Sequence, residues 1–172
     1  MEKVKTINKI DSLFLAKVFI LASILVFAPL LKNQIITGPL VNFILFVSVV
    51  LLGRNTALSL CIFPSVISLL TGFLPVIMAP VIPFIIISNM ILVLVFDYLR
   101  NNQYLAILSS AMVKFLFLWA TSSFAISMFA KPVAQKVAAM FTYPQFFTAL
   151  AGGALAILVL KIINNNNKKN DI

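Results

Sequence analysis

The chain has 172 residues, of which 62% are hydrophobic and only 10% charged, whereas a soluble domain has roughly 45–50% apolar and 25% charged residues. A water-soluble fold of this length cannot hide so much apolar surface, so the composition excludes an ordinary soluble domain. The net charge of +9 comes from bases near the ends of apolar segments. We therefore expect the lipid bilayer, and no nucleic acid, to be the partner of this charge.

Six apolar segments divide the chain. At about 20 residues per crossing, they predict a single membrane domain, residues 1–172, and leave no room for a separate soluble domain. The sequence thus predicts an all-α polytopic membrane protein, a bundle of six transmembrane helices. The predicted spans are 12–31, 37–52, 56–71, 81–98, 104–130 and 145–163, followed by an Asn/Lys-rich tail, 164–172, which we expect to be disordered.

Proline and glycine mark several predicted boundaries. Thr37 or Gly38 is the expected N-cap of the second span, with Pro39 in its first turn. Pro64 is expected to bend or break the third span, which is the weakest of the six. The connection 72–83 has three prolines and no charge. It is either a lid over a pocket or a loop that dips into the headgroups.

The distribution of bases predicts the orientation. With six spans and a cytoplasmic N-terminus, nine bases fall inside and three outside, with Lys114 in neither group. This bias places both termini in the cytoplasm by the positive-inside rule and predicts a multi-pass protein of the cell membrane, which the family resemblance given below implies to be a bacterial plasma membrane. The inside group is Lys3, Lys5, Lys9, Lys17, Arg54, Arg100, Lys161, Lys168 and Lys169, and the outside group is Lys32, Lys131 and Lys136.

Lys114 is the one charge well inside a predicted span. It is the eleventh residue of the fifth segment, about 15 Å along a helix, where a lysine costs about 2.5–3.5 kcal/mol on insertion scales. Helical spacing places Ser110, Lys114 and Thr121 on one face. Either this face lines a ligand pocket, with Lys114 meeting an anionic or carbonyl group, or Lys114 packs against main-chain carbonyls freed by Pro64 or by a neighbouring span.

Two asparagines are the next most expensive groups to bury. Asn89 lies in the fourth span and Asn42 in the second. Each is a candidate for ligand contact, and interhelical hydrogen bonding is an equally common use of such residues. Trp119 either stacks on a planar ligand or packs against the core or lipid. Asp97 is expected to pair with Arg100 at i+3.

The chain lacks the residues that several kinds of chemistry require. The chain has no histidine and one cysteine, Cys61, so we expect no transition-metal site and no cofactor. No G-x-x-x-x-G-K-[ST] loop occurs, and intramembrane carboxylates for ion coupling are missing. The chain also lacks carboxylate pairs and an activated nucleophile, so we expect no enzyme activity. If the protein moves a solute, another subunit must supply the energy.

Three local segments carry a family resemblance: Ile36-Thr37-Gly38-Pro39-Leu40-Val41-Asn42, Pro80-Val81-Ile82-Pro83-Phe84 followed by Asn89, and Lys114-Phe115-Leu116. With the length and topology, they resemble S components of energy-coupling factor (ECF) transporters, among members of uncertain substrate. The resemblance implies a pocket that opens outward, is built mainly from the last three spans and is capped by outer loops, with Asn89, Ser110, Lys114 and Thr121 in the substrate site. It also implies a transmembrane coupling subunit and ATPase subunits as partners.

One departure concerns the first span. The family commonly carries two small residues four apart where the coupling subunit docks, whereas Ala16, Ala22 and Ala28 are six apart here. The sequence as a whole predicts a non-enzymatic substrate-capture subunit for uptake of a small organic nutrient, a vitamin or precursor, powered by a separate ATPase module. The alternative is a structural or scaffold membrane protein that resembles the six-span rod-shape factors of bacterial cell-wall synthesis.

Overall fold

The structure is a computed structural model that describes residues 12–170. Within that range all regular structure is helical, which confirms the predicted all-α class. The predicted inside bases Lys3, Lys5 and Lys9, and tail residues 171–172, lie outside the described residues. The helices are α1 (Ser12–Phe27), α2 (Gln34–Leu52), α3 (Arg54–Leu60), α4 (Ile62–Leu70), α5 (Ile82–Leu99), α6 (Gln103–Ser127), α7 (Lys131–Met140) and α8 (Tyr143–Asn170), with 3-10 turns at Ala28–Leu31 and Val76–Val81.

Five helical segments are long and apolar enough to cross a membrane, with mean hydropathies between 1.6 and 2.5. A segment of this kind needs about 20 apolar residues to span the hydrocarbon core, so the chain is a membrane-integral helical protein. The third predicted span, 56–71, corresponds to the segment Arg54–Leu70, which is apolar but shorter. The five long segments are Ser12–Leu31, Gln34–Leu52, Val76–Leu99, Gln103–Ser127 and Lys131–Ile163.

The predicted start of the second span is wrong by three residues. Helix α2 begins at Gln34, and its N-cap is Asn33, whose side chain accepts the Ile35 N–H at 3.0 Å. Asparagine is among the strongest N-cap residues, whereas Pro39 removes only one main-chain hydrogen bond near the helix start. The helix therefore begins at the better cap and tolerates the proline inside it. Thr37, a predicted cap, instead donates its hydroxyl to the Ala28 carbonyl at 3.0 Å.

The break in the third span lies at Cys61 and not at Pro64. Pro64 is the third residue of α4, where a first-turn N–H has no helical partner to lose. Proline has no N–H and cannot donate a hydrogen bond to a carbonyl of the preceding turn. The helix is therefore interrupted at Cys61, three residues before Pro64. Cys61 is fully buried, and its thiol donates to the Ala57 carbonyl at 3.3 Å.

The last three predicted boundaries also shift. Helix α6 ends at Ser127, three residues before the predicted end at Ala130. The following linker contains a helix, α7, and α8 begins at Tyr143. Helix α8 then continues to Asn170, so residues 164–170 are helical where the sequence predicts a disordered tail.

The long helices α2, α5 and α8 run in one direction and α6 runs in the opposite direction. Helices α2 and α8 run side by side in the same direction, with Gly38 against Thr148 and Gly152 against Pro39. Helix α6 runs opposite to α8. Phe115 stacks on Tyr143, at the start of α8, with ring centroids 5.8 Å apart, whereas the hydroxyl of Tyr104 lies 3.5 Å from the amine of Lys161, further along α8.

Helix α5 runs parallel to α2, since Asn42 and Asn89 meet at the Lys114 amine and, further along both helices, Phe46 and Phe96 pack with ring centroids 4.7 Å apart. In the last turn of α5, Asp97 pairs with Arg100 at 3.5 Å, which confirms the predicted ion pair, and with Arg54 at the start of α3 at 4.0 Å. We call this the arginine end of the bundle. The opposite end carries the connection 71–81 and helix α7, and we call it the cap end.

Two apolar clusters form the core. The larger one joins α1, α2, α5, α6 and α8 and reaches towards the arginine end, where Phe46 and Phe96 are fully buried. The smaller one lies at the cap end, where Leu74 and Met78 of the connection pack with Leu118 of α6. Helices α2, α4, α5 and α6 also bury eight polar side chains: Thr37, Asn42, Ser48, Ser65, Ser88, Asn89, Ser110 and Lys114.

Candidate functional site

Lys114 is the centre of a polar cluster that joins three helices. Its side chain, on α6, is only 2% exposed. Its amine donates to the Oδ1 atom of Asn42 on α2 at 2.8 Å and to the Oδ1 atom of Asn89 on α5 at 2.8 Å. Each asparagine is itself at most 3% exposed. In hydrocarbon, an amine at this depth must find such acceptors inside the bundle.

Helix α8 supports this cluster from the other side of α2. The Asn42 amide donates to the Thr148 hydroxyl at 3.4 Å, and that hydroxyl donates to the Gln145 carbonyl at 3.1 Å. A Cβ atom on Gly152 would lie only 2.9 Å from the Asn42 Cβ and 2.5 Å from the Pro39 carbonyl oxygen. The glycine therefore lets the α8 backbone approach α2 closely, as small residues do in membrane helices, and this approach fixes Asn42.

A cavity of about 90 Å³ adjoins the polar cluster. It lies between α2, α4, α5 and α6, and Phe73, Leu74 and Met140 cover it from the cap end. No carboxylate lines it, so Lys114 is its only ionisable group. A solute held here would meet hydrogen-bond donors and apolar surface. The polar lining residues are Gln34, Thr37, Asn42, Ser65, Ser68, Asn89, Lys114 and Gln145.

Ser65 supplies a hydroxyl that nothing in the described residues satisfies. The side chain is 4% exposed and lines the cavity, and its Oγ atom has no hydrogen-bond partner. Three residues further along α4, Ser68 donates to the Pro64 carbonyl at 2.6 Å, as helix serines commonly do. A buried hydroxyl without a partner costs about 1–3 kcal/mol. Ser65 therefore offers a hydrogen bond to whatever occupies the cavity.

The amine of Lys114 also retains hydrogen-bonding capacity. As an ammonium group, a lysine has three N–H donors, and the two asparagine oxygens account for two of them. Lys114 is among the residues that line the cavity. Its remaining donor and the Ser65 hydroxyl are the two groups best suited to an incoming acceptor.

The connection 71–81 covers the site. Leu74, Met78 and Val81 are buried in the cap-end cluster, whereas Val76 and Ile77 are 75% and 61% exposed. The segment thus has an inner face that packs on the bundle, with Leu74 at the cavity, and an outer apolar face. Both sequence interpretations, a lid and an interfacial loop, are compatible with this arrangement, because each describes one of the two faces.

Of the five predicted site residues, the structure brings three together and leaves two apart. Lys114, Asn42 and Asn89 form the cluster. Ser110 and Thr121 do not line the cavity. The Ser110 hydroxyl donates to the Ile107 carbonyl at 3.0 Å, and the Thr121 hydroxyl donates to the Phe117 carbonyl at 2.8 Å. Both hydroxyls make their hydrogen bonds within α6. Sharing a helix face with Lys114 therefore does not place these two residues at the cavity.

The partners of Lys114 also differ from the alternative that the sequence left open. The side-chain oxygens of the two asparagines accept hydrogen bonds from the amine, and no main-chain carbonyl freed by Pro64 does so. The asparagines thus make the interhelical hydrogen bonds that the sequence allowed for them. Trp119 is 60% exposed on the bundle surface, which fits its interpretation as a lipid-facing residue.

Sequence reasoning missed two members of the site, Ser65 and Thr148. Ser65 shares its apolar segment with Ser68, so the sequence carries no signal that singles it out. For Thr148, the clue is its position four residues before Gly152, which places both on one face of α8. Within the described part of the chain, no group of three His, Cys, Asp or Glu residues could hold a metal ion.

Comparisons with protein-family models, with curated proteins and with solved structures find no match to this chain. The functional argument therefore depends on the geometry of the Lys114 cluster and its cavity.

Proposed function

We propose that the protein captures a small organic solute within the membrane for uptake, with energy supplied by a separate ATPase module. The observation that carries the proposal is the buried Lys114 amine, which lines a cavity together with the unpartnered Ser65 hydroxyl. Intramembrane ionisable residues typically mark solute or ion pathways. A cavity at the level of such a residue is where a captured solute is expected to bind.

The lining defines the polar group of the solute. Lys114 and Ser65 both donate hydrogen bonds, and no acid is present to attract a cation. The solute therefore presents an acceptor, a carboxylate, a phosphate or a polar carbonyl, to this pair. Its size is limited by the cavity of about 90 Å³, well below the roughly 300–1,000 Å³ of pockets for drug-sized ligands. A vitamin or precursor fits only if Phe73, Leu74 and Met140 move outwards, as closing segments do in many sites.

The topology that goes with this function has six spans and cytoplasmic termini. The short third segment, Arg54–Leu70, then crosses the membrane as the pair α3 and α4, and the arginine end faces the cytoplasm. The excess of bases at that end supports this orientation. The cap end and the covered cavity then face outwards, where a nutrient arrives. This is the arrangement of ECF S components, and the proposed partners are a transmembrane coupling subunit and ATPase subunits.

Native mass spectrometry of gently purified protein tests the proposal. The wild-type protein is expected to retain a small organic solute, and Lys114→Met is expected to lose it while keeping its helical circular dichroism. Loss of one hydrogen bond to a charged group is worth about 1.5–3 kcal/mol, which corresponds to roughly tenfold to 150-fold weaker binding.

Lys136→Met is the matched control, because Lys136 is an exposed lysine on α7 at the same end of the bundle. It should retain the solute as the wild type does. A wild-type protein that carries no solute, or a Lys114→Met variant that retains it undiminished, would reject the capture function.

A second candidate function is structural, that of a scaffold protein resembling the six-span rod-shape factors of cell-wall synthesis. One observation favours it: both asparagine oxygens already satisfy Lys114 at 2.8 Å, so the cluster can serve as a strut between α2, α5 and α6 without a ligand. Copurification with wall-synthesis proteins, together with a solute-free mass spectrum, would support the scaffold and contradict capture.

A further inference from the structure

A groove of about 460 Å³ runs between α6 and α8. It shares no lining residue with the Lys114 cavity. Apolar side chains line most of its length, and the two polar lining residues, Tyr104 and Lys161, lie together with the tyrosine hydroxyl 3.5 Å from the lysine amine. The groove is therefore apolar with one polar end, which is the arginine end of the bundle.

Small residues on α8 create this groove. A Cβ atom on Gly153 would clash with Ile107 of α6, so the two helices are in close contact there. The next residue, Ala154, is exposed and contributes only a methyl group, while Leu108 and Leu158 stand 50% and 59% exposed beside it. A depression lined by hydrocarbon remains on the surface that faces the membrane.

The length of the groove matches one leaflet of a bilayer. Its α8 lining extends from Leu150 to Lys161, a rise of about 16 Å at 1.5 Å per residue. Half of a typical hydrocarbon core is about 15 Å. The groove therefore begins near the membrane boundary at Lys161 and ends close to the middle of the membrane.

The positive charge of Lys161 at the polar end of the groove would attract an anion. Lys161 is exposed, and Asp97, the one acidic residue in the described range 12–170, is already paired with Arg54 and Arg100. Lys161 thus has no carboxylate partner among the described residues. Basic residues at this level of a membrane protein attract the headgroups of anionic lipids.

We propose that this groove binds an anionic phospholipid, with one acyl chain along Leu108, Ala154 and Leu158 and the phosphate between Lys161 and Tyr104. The tyrosine hydroxyl donates to a phosphate oxygen, and the lysine supplies the charge. This site is independent of the proposed capture function, because it depends on a different surface and a different ligand.

The test uses full-length protein in nanodiscs made of equal amounts of phosphatidylglycerol and phosphatidylcholine, followed by native mass spectrometry of the released protein. The wild type is expected to retain phosphatidylglycerol in preference to phosphatidylcholine. Lys161→Met should weaken this retention about fivefold, the effect of one basic residue near an anionic surface. Ala154→Leu, at an exposed position, should fill the groove and displace the bound lipid without disturbing the core.

Lys136→Met, at the cap end, serves as the control and should retain phosphatidylglycerol like the wild type. Equal retention of the two lipids by the wild type, or unchanged retention by Lys161→Met, would overturn the proposal. So would a photoreactive side chain at position 154 that crosslinks to a polypeptide and not to a lipid, since a partner helix would then occupy the groove.

Discussion

The cluster around Lys114 predicts an unusual order of stability among its variants. Lys114→Met removes two interhelical hydrogen bonds, which in membrane proteins are worth about 0.6 kcal/mol each on average and at most about 1.7. It also removes the cost of placing a lysine at mid-membrane, about 2.5–3.5 kcal/mol. At the average value the relieved cost exceeds the two lost hydrogen bonds, and at the maximum value, about 3.4 kcal/mol for two bonds, it offsets most of them. The variant should therefore lie between a modest gain in stability and a loss of about 1 kcal/mol.

Asn89→Leu should lower the free energy of unfolding more than Lys114→Met does, although it removes only one of these hydrogen bonds. Leucine has nearly the shape of asparagine, but the lysine amine stays in the bundle with one acceptor fewer. Leaving a buried donor unsatisfied costs about 1–3 kcal/mol, and more for a charged group, and removing the buried asparagine offsets only part of this cost. A double variant, Lys114→Met with Asn89→Leu, should regain most of the stability, because no buried amine then lacks an acceptor.

Reversible unfolding in mixed micelles, followed by circular dichroism, measures these free energies. The expected order is Lys114→Met close to the wild type, the double variant next, and Asn89→Leu lowest. If Lys114→Met loses more stability than Asn89→Leu, the amine contributes more to the fold than its burial costs. The reasoning about the cluster would then be refuted.

Two further variants test the packing and the arginine end. Gly152→Ala places a Cβ atom 2.5 Å from the Pro39 carbonyl oxygen and 2.7 Å from the Phe43 nitrogen, so it should lower the free energy of unfolding by about 1–3 kcal/mol; the same loss in Ala151→Leu, an exposed neighbour, would contradict a local clash. Asp97→Asn breaks two ion pairs whose arginines are more than half exposed, so it should cost less than about 1 kcal/mol, and less at high salt. A larger loss that does not depend on salt would contradict this estimate.

The sequence predicted the long helices because their apolar length leaves no other solution in a bilayer. It also predicted that Lys114, Asn42 and Asn89 need polar partners, since each is expensive to bury. It could not predict that they are partners of one another. They are 25 and 72 residues apart along the chain, and only the rotation and crossing of α2, α5 and α6 brings their side chains together.

The errors have local physical causes. The start of α2 was predicted from Pro39, whereas the stronger effect is capping by Asn33. Ser110 and Thr121 share a helix face with Lys114, but each hydroxyl donates a hydrogen bond to a main-chain carbonyl of its own helix, as serine and threonine commonly do. Ser65 could not be separated from Ser68 by sequence, because the difference between them is a hydrogen bond that only one of them makes.

An experimental structure of the solute-loaded protein would show whether the proposed solute binds through the Lys114 amine. We expect an oxygen of the solute about 2.7–3.2 Å from the Lys114 Nζ atom, with the Ser65 hydroxyl as a second donor. A solute whose polar group lies elsewhere, or protein from native membranes whose cavity contains only water, would contradict this expectation.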